Sequence, residues 1–249
     1  MTEDDTAAAS FGGPATAARS MELLWGTKPP PSRGRKPGMT LERIVAAAVE
    51  LADAGGLDGV SMRRVADRLG IGTMSLYRYV PAKAELQDLM LDAVMGEAPA
   101  VSGATGWRDG LERYARASLE GYRRHPWLLR AVLTRGAMGP NQAAALDAVL
   151  RVLEGSDLSG GERMAVVGLV AGYVRGVAQQ LAGDTRAARG SGGGFAPLIG
   201  GHLDPATYPA LTGVWRDEDL ERAEDPFEFG LRRVLDGIAA LVESRRVAT

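Results

Sequence analysis

The 249-residue chain contains no cysteine and only two histidines, His125 and His202. The absence of cysteine excludes disulfide bonds, thiolate-ligated zinc and a cysteine nucleophile. Two histidines leave little for a histidine-based metal site, so we expect neither a metal nor another cofactor. Alternating strand patterns and Asn-Gly or Asp-Gly hairpin turns are also nearly absent, which excludes a mainly β fold.

The sequence also lacks an export signal and a long apolar run. The segment Met1–Asp5 is acidic, whereas a secretory signal begins with positive charge. The longest uncharged apolar run, residues 164–174, has 11 residues and falls short of the roughly 20 needed to span a bilayer. We therefore expect a cytoplasmic protein that makes no membrane contact.

Helical patterns fill most of the chain from residue 40 onward. Thr40 is placed to cap a helix that Gly55-Gly56 ends. Ser159 and Glu162 have the spacing of a capping box, and Pro226 opens a further helix with a long apolar stripe. These patterns predict an all-α protein.

Residues 61–80 follow the pattern of a helix, a tight turn and a second short helix. Ser61 can cap the first helix, and Gly70 suits its C-terminal end, where a side chain would be strained. The small residue Ala66 is followed four positions later by Gly70, and six positions after that by the apolar Leu76. This is the spacing of a helix-turn-helix.

The second helix of this unit presents few apolar groups to a core. Its remaining side chains, which include hydroxyls, a guanidinium and aromatic rings, belong to Thr73, Met74, Ser75, Tyr77, Arg78 and Tyr79. Such groups can meet phosphates and base edges in a major groove. Arg63 on the preceding helix is placed to reach a flanking base or phosphate, and Lys83 starts the next helix, whose N–H groups favour phosphate. DNA binding is favoured over a generic helical hairpin.

Three strings carry a resemblance to a known family: Ser61-Met-Arg-Arg-Val-Ala66, Leu69-Gly-Ile-Gly72 and Ser75-Leu-Tyr-Arg-Tyr-Val-Pro-Ala-Lys-Ala-Glu-Leu86. With them, residues 40–95 resemble the N-terminal domain of the tetracycline-repressor (TetR) family of bacterial transcriptional regulators. The rest of the chain is similar in layout to that family's C-terminal domain, mainly through residues 227–238. The resemblance implies a three-helix DNA-binding domain followed by a helical ligand-binding and dimerisation domain.

The family pattern also implies individual roles. It assigns base contacts to Arg63, Thr73, Ser75 and Arg78. Tyr77 contacts phosphate, and Lys83 closes the recognition segment. Met74 departs from the tetracycline repressors proper, which carry proline there, so their operator sequence does not transfer to this chain.

The chain divides into three regions by composition and pattern. Residues 1–39 are expected to form a flexible tail and basic arm, although Met21–Trp25 is apolar enough to dock. We place the DNA-binding domain at 40–86 and the ligand-sensing and dimerisation domain at 87–249.

Positive charge is concentrated where the motif lies. The arm, residues 28–39, combines Pro and Gly with four cations, of which Arg35 and Lys36 are the candidates for DNA contact. A solvated linker is the alternative for this arm. Residues 28–86 carry a net charge of +4, whereas the whole chain carries −2, so affinity for phosphate is expected in this part.

Two helices, about 159–181 and 226–244, suit a dimer interface. Glycines at i, i+4 and i+8 of the first form a groove for a close helix or a ligand, with packing inside one chain as the alternative. The candidate interface residues are Gly168, Gly172, Gly176, Leu231, Leu235 and Ile238.

A ligand pocket is expected among bulky or polar side chains on apolar faces of the C-terminal half. The candidates, for each of which core packing is the alternative, are Trp107, Tyr114, Trp127, Met138, Tyr173, Gln179 and Phe227. His125 is expected to be a capping or surface group. The Gly-rich stretch 189–201 follows no strand and lacks the Gly-Lys-Ser/Thr ending of a phosphate loop, so a loop over the ligand entrance or disorder is expected.

Together these features predict a ligand-responsive transcriptional regulator. We expect a homodimeric repressor that a small-molecule effector releases from a pseudo-palindromic double-stranded DNA operator. An activator, or a helical interaction module of the same fold without a ligand, is the alternative. An enzyme is not expected, because the C-terminal half has no nucleophile elbow, metal-ligand cluster or strand-fed phosphate loop.

Overall fold

The computed structural model describes residues 14–26, 39–97, 101, 103–134, 137–190, 203–215 and 225–248, and its regular elements there are helices. This confirms the all-α prediction. The helices are α1 (Pro14–Leu24), α2 (Leu41–Gly55), α3 (Met62–Arg68), α4 (Thr73–Tyr77), α5 (Lys83–Met95), α6 (Trp107–Arg124), α7 (Leu128–Thr134), α8 (Pro140–Val152), α9 (Gly160–Gly190), α10 (Pro209–Trp215) and α11 (Pro226–Ala248). A single 3₁₀ turn, Leu57–Gly59, joins α2 to α3.

The helix ends follow the local signals in the sequence. The Thr40 hydroxyl accepts a hydrogen bond from the Arg43 N–H at 3.3 Å and so caps α2. Before α9, the Glu162 N–H donates to Ser159 Oγ at 3.3 Å while the Ser159 N–H donates to Glu162 Oε2 at 2.9 Å. This reciprocal pair is the predicted capping box. Helix α11 begins at Pro226, as predicted.

The chain forms two compact units. The first unit comprises Met1–Ser102 and Glu120–Arg151, and the second comprises Gly103–Leu119 and Val152–Thr249. The first unit is therefore larger than the span 40–86, because α1, the rest of α5, α7 and α8 belong to it. Its core is built from α2 to α5 and from α7, and includes Ile44, Leu76, Val80, Leu86, Met90, Trp127 and Leu128.

The N-terminal region differs from the expected flexible tail. Residues Pro14–Leu24 form a helix that packs on α5, and Leu23 and Leu24 lie against the core of the first unit. When the helix docks, apolar side chains such as Leu23 and Leu24 are removed from water. This favours the docked helix over a free tail. Residues 1–13 and 27–38, including Arg35 and Lys36, lie outside the described residues.

The second unit is held together by α9 and α11, which pack side by side. Two ion pairs join α6 to α11: Arg108 Nη2 lies 2.7 Å from Asp236 Oδ1, and Arg116 Nη2 lies 2.9 Å from Glu228 Oε2. The Arg116 guanidinium holds the pKa of the Glu228 carboxyl below its ordinary value.

Candidate nucleic-acid interface

The turn between α3 and α4 is fixed by backbone geometry. Ser61 Oγ accepts a hydrogen bond from the Arg64 N–H at 3.2 Å and caps α3. Gly70 has φ +65°, the left-handed conformation that opposes a side chain. The Ile71 N–H reaches back to the Ala66 carbonyl at 3.0 Å, which closes a Schellman motif. The predicted helix-turn-helix is thus formed by its own caps.

Buried side chains set the orientation of α4. Leu76 and Val80 are fully buried, as are Val65 and Ala66 of α3, and all four lie in the same core. Helix α4 has only five residues, so one buried face leaves the other residues directed away from the core. The outward side chains are thereby held in one place.

The face of α4 away from the core carries five side chains, which we call the reading face: Thr73, Met74, Ser75, Tyr77 and Arg78. Met74 is 79% exposed and Tyr77 is 41% exposed, unusual values for large apolar and aromatic groups. Arg78 Nη2 donates to Ser75 Oγ at 3.3 Å. Hydroxyls, a guanidinium and an aromatic ring therefore lie together on a rigid element.

The other predicted DNA contacts lie in different surroundings. The Arg63 side chain is 86% exposed on α3, 4.0 Å from Asp67. Tyr79 is half-buried and packs against the core, so most of its ring is used within the protein. Lys83 Nζ donates to the Leu57 carbonyl at 3.2 Å, which ties the start of α5 to the 3₁₀ turn.

Two further cations hold the 3₁₀ turn in front of α3. Arg64 Nη1 donates to the Gly59 carbonyl at 2.6 Å, and Arg130 Nη1 of α7 donates to Asp58 Oδ2 at 2.9 Å. The Arg130 guanidinium keeps the pKa of the Asp58 carboxyl below its ordinary value. Sequence reasoning did not identify Arg130, because its partner is 72 residues away in the chain.

A polar cluster around the buried His125 and Trp127 joins the end of α2 to the segment before α7. His125 Nδ1 lies 2.7 Å from Asp53 Oδ1, and the same oxygen accepts a hydrogen bond from Trp127 Nε1 at 2.7 Å. His125 Nε2 lies 3.4 Å from Glu97 Oε2. His125 is buried, so the expected surface position is wrong. Trp127 is buried with its indole N–H bonded, and its ring offers no face to a ligand.

Among the predicted pocket residues, Tyr173 and Phe227 come together. The Tyr173 hydroxyl donates to the Phe227 carbonyl at 2.7 Å, and the two rings stack with centroids 6.0 Å apart. A Cβ added at Gly230 would lie 2.4 Å from the Tyr173 hydroxyl, so only glycine leaves room for this ring. Burial raises the pKa of Tyr173.

The remaining pocket candidates are dispersed. Trp107 and Tyr114 are half-buried on α6, and burial raises the pKa of Tyr114. Gln179 is exposed on α9. Met138 is exposed in the first unit, where its backbone carbonyl accepts a hydrogen bond from Trp25 Nε1 at 3.0 Å. The Gly-rich stretch beyond residue 190 lies outside the described residues.

The candidate dimer residues divide into two groups. Leu231, Leu235 and Ile238 are buried within one chain, and Ile238 also lines a groove beside α9, so their place in a dimer interface stays a prediction. The glycines of α9 differ, because a Cβ added at Gly168, Gly172 or Gly176 meets no atom within 4 Å. Among the described residues, their face is therefore open.

Helix α9 is also more apolar than the longest uncharged run in the sequence suggests. Its segment Gly160–Gly183 is long and apolar enough to cross a membrane, with a mean hydropathy of 1.2 in an 18-residue window of which 28% is buried. The core helix of a soluble protein can be equally long and apolar, but such a helix is mostly buried. The exposed side chains of α9 include the apolar Met164 and Leu169.

Comparison with known proteins identifies the family. Residues 44–88 match the family model described as bacterial regulatory proteins, tetR family. Residues 98–242 match the model for the tetracyclin repressor-like C-terminal domain. The chain belongs to the TetR family. It is a DNA-binding transcriptional regulator, and the resemblance seen in three short strings of the sequence is confirmed.

Individual members of the TetR family are similar over nearly the whole chain. The transcriptional repressor DrrR1 of Streptomyces coeruleorubidus is 45% identical over 94% of this chain and 90% of its own. A transcriptional regulator of Saccharopolyspora erythraea is 33% identical over 82% of this chain and 86% of its own.

Solved structures of the TetR family confirm the architecture. Apo ActR from Streptomyces coelicolor has a TM-score of 0.71 and 27% identity, covering 85% of this chain and 99% of that one. ActR in complex with actinorhodin has a TM-score of 0.70 and 29% identity, covering 82% of this chain and 97% of that one. An N-terminal helix-turn-helix followed by a helical C-terminal domain is thus the fold of this chain.

Proposed function

We propose that this TetR-family regulator is a cytoplasmic repressor that binds a pseudo-palindromic operator as a homodimer and is released by a small molecule. The observation that carries the proposal is the reading face, on which Met74, Tyr77 and Arg78 are exposed while the buried Leu76 and Val80 anchor the helix. Helices of this kind read base edges in the major groove. The repressor DrrR1, similar over most of the chain, supports the sign of regulation.

Within this interface we assign different roles to different side chains. Arg63, Thr73, Ser75 and Arg78 contact bases, with Met74 against a thymine methyl or sugar. Phosphate contacts, which position the protein without reading sequence, belong to Tyr77, Tyr79 and Lys83 and to the arm cations Arg35 and Lys36.

We assign the open face of α9 to a second copy of the chain. Gly168, Gly172 and Gly176 allow two helix backbones to approach closely. An open apolar groove of about 320 Å³ runs between α9 and α11, and its lining includes the exposed Leu169. Two-fold pairing also suits a helix-turn-helix protein, because dimers reach two half-sites one helical turn apart. A partner chain, and not lipid, covers the apolar face in this account.

The effector is proposed to be a planar polycyclic aromatic compound. The support is the similarity to ActR, which has been solved in complex with actinorhodin. In this chain the half-buried Tyr173, which stacks on the buried Phe227, supplies aromatic surface in the second unit together with the half-buried Trp107 and Tyr114 of α6. Such a ligand acts only if it binds the DNA-incompetent state more tightly than the DNA-competent one.

Fluorescence anisotropy on a duplex selected from a random library tests the DNA-binding part. Tyr77→Ala should weaken binding to every duplex, because it removes a sequence-independent phosphate contact. Tyr208→Ala is the matched control, since Tyr208 is an exposed tyrosine of the second unit. Equal affinity of Tyr77→Ala and wild type would contradict the assignment of α4.

The effector part is tested by adding actinorhodin to the preformed complex with the selected duplex. Release of the DNA, together with a raised melting temperature of the free protein, is the expected result. Stronger DNA binding in the presence of the compound would instead favour the activator alternative. Unchanged DNA binding and melting temperature would reject this chemical class. Chemical conversion of the compound by the purified protein would contradict a purely regulatory role.

A further inference from the structure

Helix α5 carries three buried carboxylates along one side. Glu85, Asp88 and Asp92 are 0%, 3% and 4% exposed and recur at i, i+3 and i+7, the spacing of one helix face. Carboxylates are rarely buried to this extent, because removing an ion from water is costly unless a partner compensates for it. Each of these groups therefore needs a partner from another element.

Two of the partners come from the N-terminal helix α1. Arg19 Nε donates to Glu85 Oε1 at 2.9 Å. The Ser20 hydroxyl, itself fully buried, donates to Asp88 Oδ2. The second oxygen of Glu85, Oε2, is buried without a hydrogen-bond partner among the described residues, so Arg19 supplies compensation that this carboxylate does not otherwise receive.

The third carboxylate serves a different helix. Asp92 Oδ1 accepts a hydrogen bond from the Gln142 N–H at 2.9 Å, at the start of α8. A Cβ added at Gly139 would lie 2.2 Å from the Asp92 carboxyl carbon, so the chain approaches α5 closely at this point. Helix α5 is thus joined to α1 and to α8 by hydrogen bonds to one row of acidic side chains.

Helix α5 in turn supports the reading face. It begins at Lys83, six residues after the end of α4. Its Leu86 and Met90 are fully buried in the core that also contains Leu76 and Val80, the anchors of α4. Because protein cores are close-packed, a shift of α5 is transmitted to α4. Helix α1 lies outside both family-matched spans, 44–88 and 98–242, so this support is an addition to the family domains.

We propose that α1 is a brace that sets the position of the reading face, with Arg19 and Ser20 as positioning residues acting through Glu85 and Asp88. Neither side chain contacts DNA in this account. When either partner is lost, a buried carboxylate loses one of its hydrogen bonds, and α5 relaxes to hydrate it. The reading face then loses its alignment with base edges, although the protein stays folded. This inference rests on the DNA-binding function.

Binding to two duplexes separates positioning from other effects. Anisotropy is measured with a duplex selected by the wild type and with a duplex of unrelated sequence. We expect Arg19→Ala and Ser20→Ala to weaken the selected duplex about tenfold and the unrelated duplex less than about twofold, since misalignment costs base contacts and spares phosphate contacts. Arg19→Lys should restore part of the affinity.

The matched control is Met21→Ala, because Met21 lies beside Ser20 on the same helix and is exposed. It should leave both affinities unchanged. Equal weakening on both duplexes, or none on either, would overturn the proposal. Binding of the wild type to the selected duplex tests the DNA-binding function by itself. A failure of the brace proposal can therefore be distinguished from a failure of the DNA-binding function.

Amide hydrogen exchange of the free protein tests the brace without DNA. Arg19→Ala should accelerate exchange in α4 and α5 and leave α9 and α11 unchanged. In a Glu85→Gln background the same substitution should have a much smaller effect, because no charge then remains to be compensated. Unchanged exchange in α4 and α5, or an equal effect in both backgrounds, would contradict the proposal.

Discussion

The two units of the protein use their apolar residues differently. The first unit forms a closed core within one chain. Four of its fully buried residues are Leu76, Val80, Leu86 and Met90. In the second unit, by contrast, α9 has exposed apolar side chains such as Met164 and Leu169, and 28% of the 18-residue window that defines its apolar segment is buried among the described residues. The DNA-reading part therefore has a closed core within a single chain, whereas α9 leaves apolar surface uncovered among the described residues, on the face that we propose a second copy covers.

Two leucines provide the largest test of this contrast. Leu76→Ala should lower the free energy of unfolding by roughly 2–5 kcal/mol, because it opens a cavity in the closed core. Leu169→Ala should change the stability of a dilute monomer by less than about 0.5 kcal/mol, since Leu169 is 53% exposed. Urea unfolding at low protein concentration measures both. Equal losses in the free energy of unfolding would mean that the two leucines are equally buried, which would contradict the contrast between the units.

The polar cluster that Asp53 forms with the buried His125 and Trp127 offers a second test within the first unit. Asp53→Ala leaves Trp127 Nε1 and His125 Nδ1 without their acceptor, and each buried unsatisfied group costs about 1–3 kcal/mol. Asp147→Ala is the control, because Asp147 is an exposed acid of the same unit paired with Arg151. Its removal should cost about 0–1 kcal/mol. Calorimetric melting that showed equal losses would contradict the importance of this cluster.

The glycine row of α9 tests the second unit. Gly172→Ala should stabilise the single chain by up to about 1 kcal/mol, because alanine is the better helix former and its Cβ meets no atom. Gly172→Leu should raise the dimer dissociation constant by filling the space that a partner helix needs. Sedimentation equilibrium measures the change, with Gly121→Leu, at an open glycine of the first unit, as the control. A dimer insensitive to Gly172→Leu would place the interface elsewhere.

The smallest expected effect is a pH dependence in the second unit. The hydrogen bond from Arg245, with those from Ser159, lowers the pKa of Glu162 to about 2, from an ordinary value of 4.5. A carboxyl with a lower pKa in the folded state stabilises the protein above pH 4.5 and loses that contribution as the pH falls towards 2. Glu162→Gln should therefore flatten the stability profile between these values. Urea unfolding at several acid pH values would show it, and an unchanged slope would contradict the link.

Short-range features of the sequence predicted most of the fold. Caps at Thr40, Ser61 and Ser159 and the turn at Gly70 each involve residues within a few positions, and the structure has them all. The family and the helix-turn-helix were predicted for the same reason, since their signals lie in one continuous stretch.

Features that depend on distant residues were not predicted. The docking of α1 requires Arg19 to meet Glu85, 66 positions away, and His125 meets Asp53 across 72 positions. Neither pairing leaves a periodic pattern in the sequence. The burial of Leu235 shows the same limit, because an apolar stripe does not reveal whether it faces its own chain or a partner.

Selection from a randomised duplex library, with wild type and Arg78→Ala in parallel, tests the central claim most directly. We assign Arg78 to base contact, on a reading face whose orientation is fixed by the core. Wild type should enrich an inverted repeat whose half-sites lie about one helical turn apart, and Arg78→Ala should enrich a repeat relaxed at one position in each half-site. The same motif from both proteins, or no motif from the wild type, would contradict the claim that α4 reads the operator.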